Sequence, residues 1–319
     1  MLHSGHGIPN NYQGIDEFTA ISLSRRKGAA VFDLFALTNK VREKFRGNRA
    51  DLCSIVNAKS GACPEDCSFC AQSAYSKTDA DVYQLLNKEE IIKAALSAKK
   101  YGVKRFCIVT SGKQPSNKEL HEICNFISEL RTLGLLPCAT LGMLDADQLK
   151  KLKDAGLNRY HHNLETSENF FSEICTTHTF QDKIKTIEAA RSLDLSVCSG
   201  GIFGLGESWE DRIEMAFALK KIGVNSVPLN FFTPVTGTPL EKREVLDPLE
   251  ALKIIAIYRL ILPECEIRVC GGRPGTLRDL NSLIFTAGAD GLLLGNYLTT
   301  QGRNPEDDLQ MIQDMGLEI

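Results

Sequence analysis

From about residue 52 onward, short apolar or β-branched runs alternate with segments that carry an apolar stripe at helical spacing. The short runs cover 52–57, 104–110, 136–141, 158–164, 195–202, 225–232, 266–271 and 291–295, and each has the length of a strand. Between them, Leu120, Ile123, Cys124, Ile127 and Leu130 recur at the spacing of one helix face. Phe180, Ile184 and Ile187 mark a second helix, with polar residues from Gln181 to Lys185 on its other side. A third runs from Pro248 to Leu262, where proline suits the first helical turn. Gly102, Gly134, Gly156 and Gly223 fall just after helical stretches, the place of a left-handed cap. Ahead of this rhythm, residues 1–50 read as a polar tail followed by helices, with Ala30 to Leu37 apolar along one side.

Strand-then-helix alternation implies a parallel sheet. Eight such units over ~250 residues have the size of a (β/α)8 TIM barrel. The alternative is an open doubly wound sheet, since pattern alone does not decide closure. No linker or shift of composition divides the barrel segment. The expected organisation is an N-terminal tail and helical cap over 1–50, then one barrel over 51–319 that includes a C-terminal helix.

Composition changes this picture at one point. The apolar share of 43% and charged share of 24% are ordinary for a soluble globular chain of 319 residues. A net charge of −3 gives no electrostatic reason to expect nucleic acid or an anionic membrane as partner. No apolar run is long enough for a membrane-spanning helix, and Met1 to Asn10 lacks the apolar core of a signal peptide, so a cytoplasmic location is expected. The eleven cysteines are many for such a chain, and in a reducing compartment they point to metal or redox chemistry rather than disulfides.

Cys63, Cys67 and Cys70 lie in Gly61-Ala62-Cys63-Pro64-Glu65-Asp66-Cys67-Ser68-Phe69-Cys70, with no fourth Cys or His close by. An electron-transfer cluster normally takes four cysteines, and structural zinc also takes four ligands. Three thiolates hold three corners of a four-iron cluster and leave one iron open to a small molecule. A zinc knuckle with a distant fourth ligand is the competing reading, but Pro64, Phe69 and Ala71 make a loop unlike the paired halves of zinc ribbons. The loop follows the first strand, and loops after strands form the active face of a barrel.

Side chains two apart on a strand share a face. On that rule Arg105, Cys107 and Val109 share one face, as do Cys138 and Thr140, and His161, Asn163 and Glu165. Cys198 pairs with Gly200, Ser226 with Pro228 and Asn230, and Arg268 with Cys270 and Gly272. A barrel filled only for packing would carry Val, Ile and Leu there. One buried cysteine is ordinarily a small hydrophobe. Four on matching faces, Cys107, Cys138, Cys198 and Cys270, imply a polar, thiol-bearing interior. Cys124 belongs to a helix core, and Cys53, Cys175 and Cys265 read as structural. After the fifth strand, Gly200 to Glu207 form a glycine-rich loop in which Gly204 permits close approach of a ligand and Glu207 can accept its hydrogen bonds. It lacks the lysine of a phosphate-binding loop.

The cysteine loop resembles that of the radical S-adenosylmethionine superfamily. From about residue 50 to the C-terminus the chain resembles one branch of it, the biotin synthase family. The matching segments include Gly61 to Gln72, Arg105-Phe106-Cys107, Cys138 to Gly142, His162 to Thr166, Val197 to Ile202, Val227 to Asn230, Thr236 to Leu240 and Leu298-Thr299-Thr300. The resemblance implies a 4Fe-4S cluster on Cys63, Cys67 and Cys70 that binds S-adenosylmethionine at its open iron. A flavodoxin or ferredoxin would supply an electron, and the resulting deoxyadenosyl radical would take hydrogen from dethiobiotin. Sulfur would come from a second cluster, 2Fe-2S by resemblance, on Cys107, Cys138 and Cys198. Phe69, Asn163, Glu165, Gly204 and Glu207 would then serve the cofactor, and Arg105, His161, Asn230, Thr299 and Thr300 the substrate. A homodimer is also implied.

Three positions depart from the family pattern. His161 stands where Asn is usual, Glu165 where Asp is usual, and Cys270 where Ser is common. Arg268 matches an arginine that the family places on the second cluster. A thiolate is a better iron ligand than a protonated guanidinium, so Cys270 is expected to supply the fourth ligand or part of it, with a second cluster larger than 2Fe-2S. The competing functions are another radical enzyme such as a hydrogenase maturase, which would not keep Cys107, Cys138 and Cys198 together, and a cluster carrier, which would need no open iron.

Overall fold

The computed structural model describes residues 8–319, so most of the polar tail assigned to Met1 to Asn10 lies outside the described residues. Nine parallel strands make one sheet: β1 Asp51–Lys59, β2 Arg105–Thr110, β3 Leu136–Thr140, β4 Arg159–His161, β5 Ser196–Cys198, β6 Gly201–Phe203, β7 Ser226–Phe231, β8 Glu266–Val269 and β9 Gly291–Leu293. Their order is β5-β4-β3-β2-β1-β9-β8-β7-β6, and a β5–β7 pairing at Cys198 and Ser226 closes the ring. β5 and β6 are two halves of one stave, so the architecture is the expected (β/α)8 barrel, not an open sheet.

The expected fifth strand, 195–202, is interrupted at Ser199-Gly200. A Cβ on Gly200 would sit 2.0 Å from the Pro228 carbonyl oxygen, so only glycine lets the chain cross there. The expected fourth strand, 158–164, is regular only to His161, but its bonding to the next stave continues, with His162 N–H donating to Cys198 O at 3.0 Å and Leu164 N–H to Gly200 O at 2.9 Å.

The helices start where side chains satisfy their free N–H groups. α3 Lys88–Lys100, α4 Asn117–Thr132, α5 Ala146–Asp154, α6 Phe180–Ser192 and α7 Trp209–Ile222 each open on a reciprocal capping box, such as Ser116 with Glu119 and Thr179 with Asp182. α8, Pro248–Ile261, opens on Asp247 with Pro248 in its first turn. Gly102, Gly134, Gly156 and Gly223 all have positive φ, as their positions after helices predict. On α4 the residues Leu120, Ile123, Ile127 and Leu130 are buried, while Cys124 is half-buried, its thiol 3.7 Å from the Lys151 carbonyl oxygen on α5.

The N-terminal helices, α1 Glu17–Ser24 and α2 Ala29–Arg46, pack on the outer wall rather than over the cavity. α1 lies against α7 and α8, and α2 against α8. The cause is α8, where every residue from Ile254 to Ile261 is buried. A helix buried all round needs a layer on both sides. Short helices α9 Arg273–Leu277 and α10 Leu283–Thr286 complete the ring with α11 Pro305–Asp314. Among the described residues no helix is long and apolar enough to cross a membrane.

Candidate active site: a thiol-lined barrel cavity

A cavity of about 330 Å3 occupies the barrel. Its wall includes Cys63, Cys67 and Cys70 from the loop after β1 and Cys107, Cys138, Cys198 and Cys270 from the strands or their ends. The loop is a compact coil: Cys63 N–H donates to the Gln72 carbonyl at 3.0 Å, Ala74 N–H to that of Cys63 at 2.8 Å, and Cys70 N–H to that of Cys67 at 3.0 Å. Ala62 enters it at φ 48°, a left-handed value rare for a residue with a side chain.

The coil is fastened to the segment after β4. Ser68 N–H donates to Ile174 O at 2.9 Å, and the Asp66 carboxylate accepts from Thr176 N–H at 2.9 Å and Thr177 N–H at 3.2 Å. Burial pushes the Asp66 carboxyl up, but the hydrogen bonds from Thr176, Cys175 and Thr177 win and hold it well below the usual carboxylate range. Glu65 meets His178 in the same way, carboxylate to Nδ1.

Strand register brings the interior thiols together. Cys107 on β2 is level with Cys138 on β3, His161 with Cys198, and Cys198 with Ser226. Burial pushes the Cys198 thiol up to about 12. Cys53 joins this set: it lines the cavity and packs with Cys270 and Leu293. Sequence reasoning set it aside as structural, yet the same parity rule applied to β1 puts Cys53 and Ile55 on the inward face.

Beneath the thiols lies a charged floor. Arg159 donates to both Glu266 oxygens, at 2.5 and 3.0 Å, and Arg268 Nη2 donates to Asp51 at 2.8 Å and Glu266 at 3.1 Å. Burial pushes the Glu266 carboxyl up, but Arg159 and Arg268 outweigh it and hold the group well below the usual range. For Arg268, burial works against the charge, and the neighbouring Cys53, Asp51 and Glu266 more than restore it. The guanidinium is thus a charged, carboxylate-paired group.

The remaining sequence-identified residues divide. Phe69, Arg105, His161, Asn163, Glu165, Asn230, Thr299 and Thr300 all line the cavity. His161 Nδ1 lies 2.8 Å from Thr140 Oγ1. Asn163 spans Glu165 and Gly200, with its Nδ2 donating at 3.3 Å and its Oδ1 accepting at 3.1 Å. Asn230 ties three strands' ends, donating to Gly201 O at 3.1 Å and accepting from Gly271 N–H at 3.0 Å. Gly204 and Glu207 are not in the cavity wall. Glu207 faces its own loop, accepting from the N–H groups of Gly204, Leu205 and Gly206 and from Arg212 Nε, all within 2.7–3.0 Å. Its carboxylate braces the glycine turn. Lys183, His178 and Tyr297 line the cavity without having been singled out; nothing in strand parity marks them, because loops and a helix bring them in.

Similarity to known proteins decides what this cavity belongs to. A family model described as the radical SAM superfamily matches residues 58–219, and one described as the biotin and thiamin synthesis associated domain matches 228–318. The chain is 57% identical to biotin synthase of Thermodesulfovibrio yellowstonii over 91% of each sequence. It belongs to the biotin synthase family. Biotin synthase of Geobacter metallireducens is 47% identical over 99% of this chain and 96% of that one. Among solved structures, methylornithine synthase superposes with a TM-score of 0.83 at 22% identity, covering 97% of this chain and 94% of that one. An FeFe-hydrogenase maturase from Carboxydothermus hydrogenoformans gives 0.79 at 19%, covering 93% and 74%. Identities this low speak for the barrel alone.

Radical SAM membership brings a 4Fe-4S cluster and S-adenosylmethionine. The residues present fit both. Three half-buried thiols face one cavity from a single coil, and Arg105 Nε, buried in the wall of the same cavity at the start of β2, has no partner within the protein. A buried unpartnered donor in a cavity wall is the mark of a group meant to meet a ligand.

Proposed function

We propose that the chain inserts sulfur into dethiobiotin to give biotin, using S-adenosylmethionine. The observation that carries this is one cavity with two sets of three thiols, Cys63, Cys67 and Cys70 on the loop and Cys107, Cys138 and Cys198 on the strands. Cys63, Cys67 and Cys70 would hold the 4Fe-4S cluster, and Cys107, Cys138 and Cys198 the second. When bound, the first cluster supplies the electron that cleaves the sulfonium, and the second supplies the sulfur.

The chain's own share is placement and exclusion. Phe69 presents a ring to the adenine, while Asn163 and Glu165 present a carboxamide and a carboxylate to the ribose hydroxyls. Glu165 is brought inward by a left-handed backbone, φ 73°. Burial pushes its carboxyl up, so it carries less charge into the cavity than an exposed glutamate. Asn230, Thr299, Thr300, Arg105 and His161 would hold the substrate in the same cavity. A cavity inside the barrel holds the reacting atoms near one another and limits the water that could quench them. Gly204 and Glu207 act one step away, by fixing the turn that follows β6.

For the second cluster, Cys270 is the further ligand, and Cys53 beside it offers another thiol. Arg268 is committed to Asp51 and Glu266. After anaerobic reconstitution, Cys270→Ala should lose iron and sulfide and change the second cluster's spectrum, with Arg268→Ala changing it less. Loss in the arginine variant alone would make Cys270 a bystander. The electron donor we assign is a flavodoxin or ferredoxin, and the assembly a cytoplasmic homodimer. Anaerobic incubation with dethiobiotin, S-adenosylmethionine and a reductant should yield biotin and 5′-deoxyadenosine together. Deoxyadenosine without biotin would keep the superfamily chemistry and reject the substrate.

A further inference from the structure

Cys175 belongs to neither of the two thiol sets in the cavity wall. It sits just past the short 3-10 turn Phe171–Glu173, 4% exposed, with its sulfur 3.9 Å from that of Cys67. His178 follows three residues later, 7% exposed, with Nδ1 3.3 Å and Nε2 3.7 Å from the same sulfur. One donor atom each from Cys67, Cys175 and His178 all lie within 4.8 Å of one another.

Those separations are the edges of a tetrahedron. Bond lengths of about 2.3 Å to sulfur and about 2.0 Å to nitrogen place two thiolates ~3.8 Å apart, and a thiolate and an imidazole ~3.5 Å apart, around zinc. The surroundings complete the pattern. Glu65 meets His178 at Nδ1, which leaves Nε2 free to take an ion. A carboxylate orienting a metal-binding histidine through its other nitrogen is the usual outer support of zinc sites. Glu65, Cys67 and His178 all line the barrel cavity, so an ion has a way in.

We infer that Cys67, Cys175 and His178 form a binding site for a zinc-like divalent cation in the cluster-free chain, and that this site and the radical cluster exclude each other by sharing Cys67. The second half rests on the reading that Cys67 holds the cluster; the first half does not. A thiolate committed to zinc cannot also close a corner of the iron cluster, so an occupied site would hold the loop folded and block premature cluster assembly until the ion is removed. Zinc binding to the two thiols releases their protons, and no electron changes hands.

The test uses full-length, cluster-free protein kept reduced and anaerobic. Co2+ serves as the coloured probe and Zn2+ as its competitor. One equivalent should bind with thiolate-to-cobalt absorption. Cys175→Ser and His178→Ala should each weaken binding by about tenfold or more, and Glu65→Gln by a similar factor through the lost histidine support. The double variant Cys63→Ser/Cys70→Ser should keep the ion. Binding that survives Cys175→Ser but is lost in Cys63→Ser/Cys70→Ser overturns the proposal, as does no binding at all. The unaltered protein supplies a readout that needs no variant to fold. Zinc should shield Cys67 and Cys175 from alkylation while leaving Cys63 and Cys70 reactive, and the opposite protection pattern overturns the site. Zinc-loaded protein should take up iron and sulfide only after chelation. Full cluster uptake with Cys67 and Cys175 still shielded would overturn the exclusion and Cys67's cluster role, with the ion site standing on the alkylation result.

Discussion

Glu165 has a left-handed backbone at φ 73°, a conformation that costs a residue with a side chain roughly 1 kcal/mol or more. Ala62 and Leu298, both at φ 48°, flank the same cavity. Strain gathered at one place is tolerated where the surrounding hydrogen bonds fix it, and here Ile202 N–H donates to Glu165 O at 2.8 Å. Glu165→Gln keeps the shape and removes the carboxylate, so the KM for S-adenosylmethionine should rise about tenfold, near 1.4 kcal/mol, with little change in Tm. Equal losses in Tm and activity would instead make Glu165 a structural residue. His161 offers a pH test. Burial lowers its pKa to about 4, and His162 is lowered further by the same cause. The unfolded chain binds protons at these rings near pH 6.5 and the folded chain does not, so their contribution is full above that pH and falls as pH drops towards 4. Denaturant unfolding from pH 7.5 to 5 should show this slope, and His161→Asn should flatten part of it. An unchanged slope would mean that His161 titrates like an exposed ring. At this scale the strand residues were legible from alternation alone, since Cys107, Cys138, Cys198 and Cys270 all reach the cavity. Cys53 obeys the same rule, with Ile55 as its inward neighbour on β1. Cys175 was illegible, because a turn rather than a strand delivers it.

Among the elements, the loop after β1 and the segment after β4 act as one clasp. Asp66 bonds to Thr176 across 110 residues of sequence, a pairing that no local pattern announces. Asp66→Ala leaves three backbone and hydroxyl donors around Cys175 without their acceptor. The expected result is a folded barrel that retains less iron at the loop after desalting, with unchanged far-UV circular dichroism. Full iron retention would show that the coil holds its shape unaided. Helix positions were readable for a physical reason: apolar stripes and capping residues are local. The split of the fifth strand was not, because it depends on how closely Pro228 approaches Gly200 from the neighbouring stave.

For the molecule as a whole, closure of the ring creates both the cavity and its charged floor. Alternation of strands and helices indicated a parallel barrel, and the β5–β7 pairing supplies the closure that pattern alone left open. The outer layer of α1 and α2 follows from α8 being buried on every side from Ile254 to Ile261. Removing Glu266 should be costly, since it leaves Arg159 and Arg268 buried with fewer partners. A loss of about 3 kcal/mol is expected for Glu266→Ala in reversible unfolding. A change within experimental error would show that water or Asp51 compensates.

Everything above turns on whether three loop thiols leave an iron free for the cofactor. Reduced, reconstituted protein frozen with S-adenosylmethionine carrying 15N in its amino group reports this directly by electron–nuclear double resonance. The account predicts a 15N coupling to the 4Fe-4S cluster that disappears when the cofactor is omitted. Bound cofactor with no such coupling, and a protein ligand on the fourth iron, would contradict it.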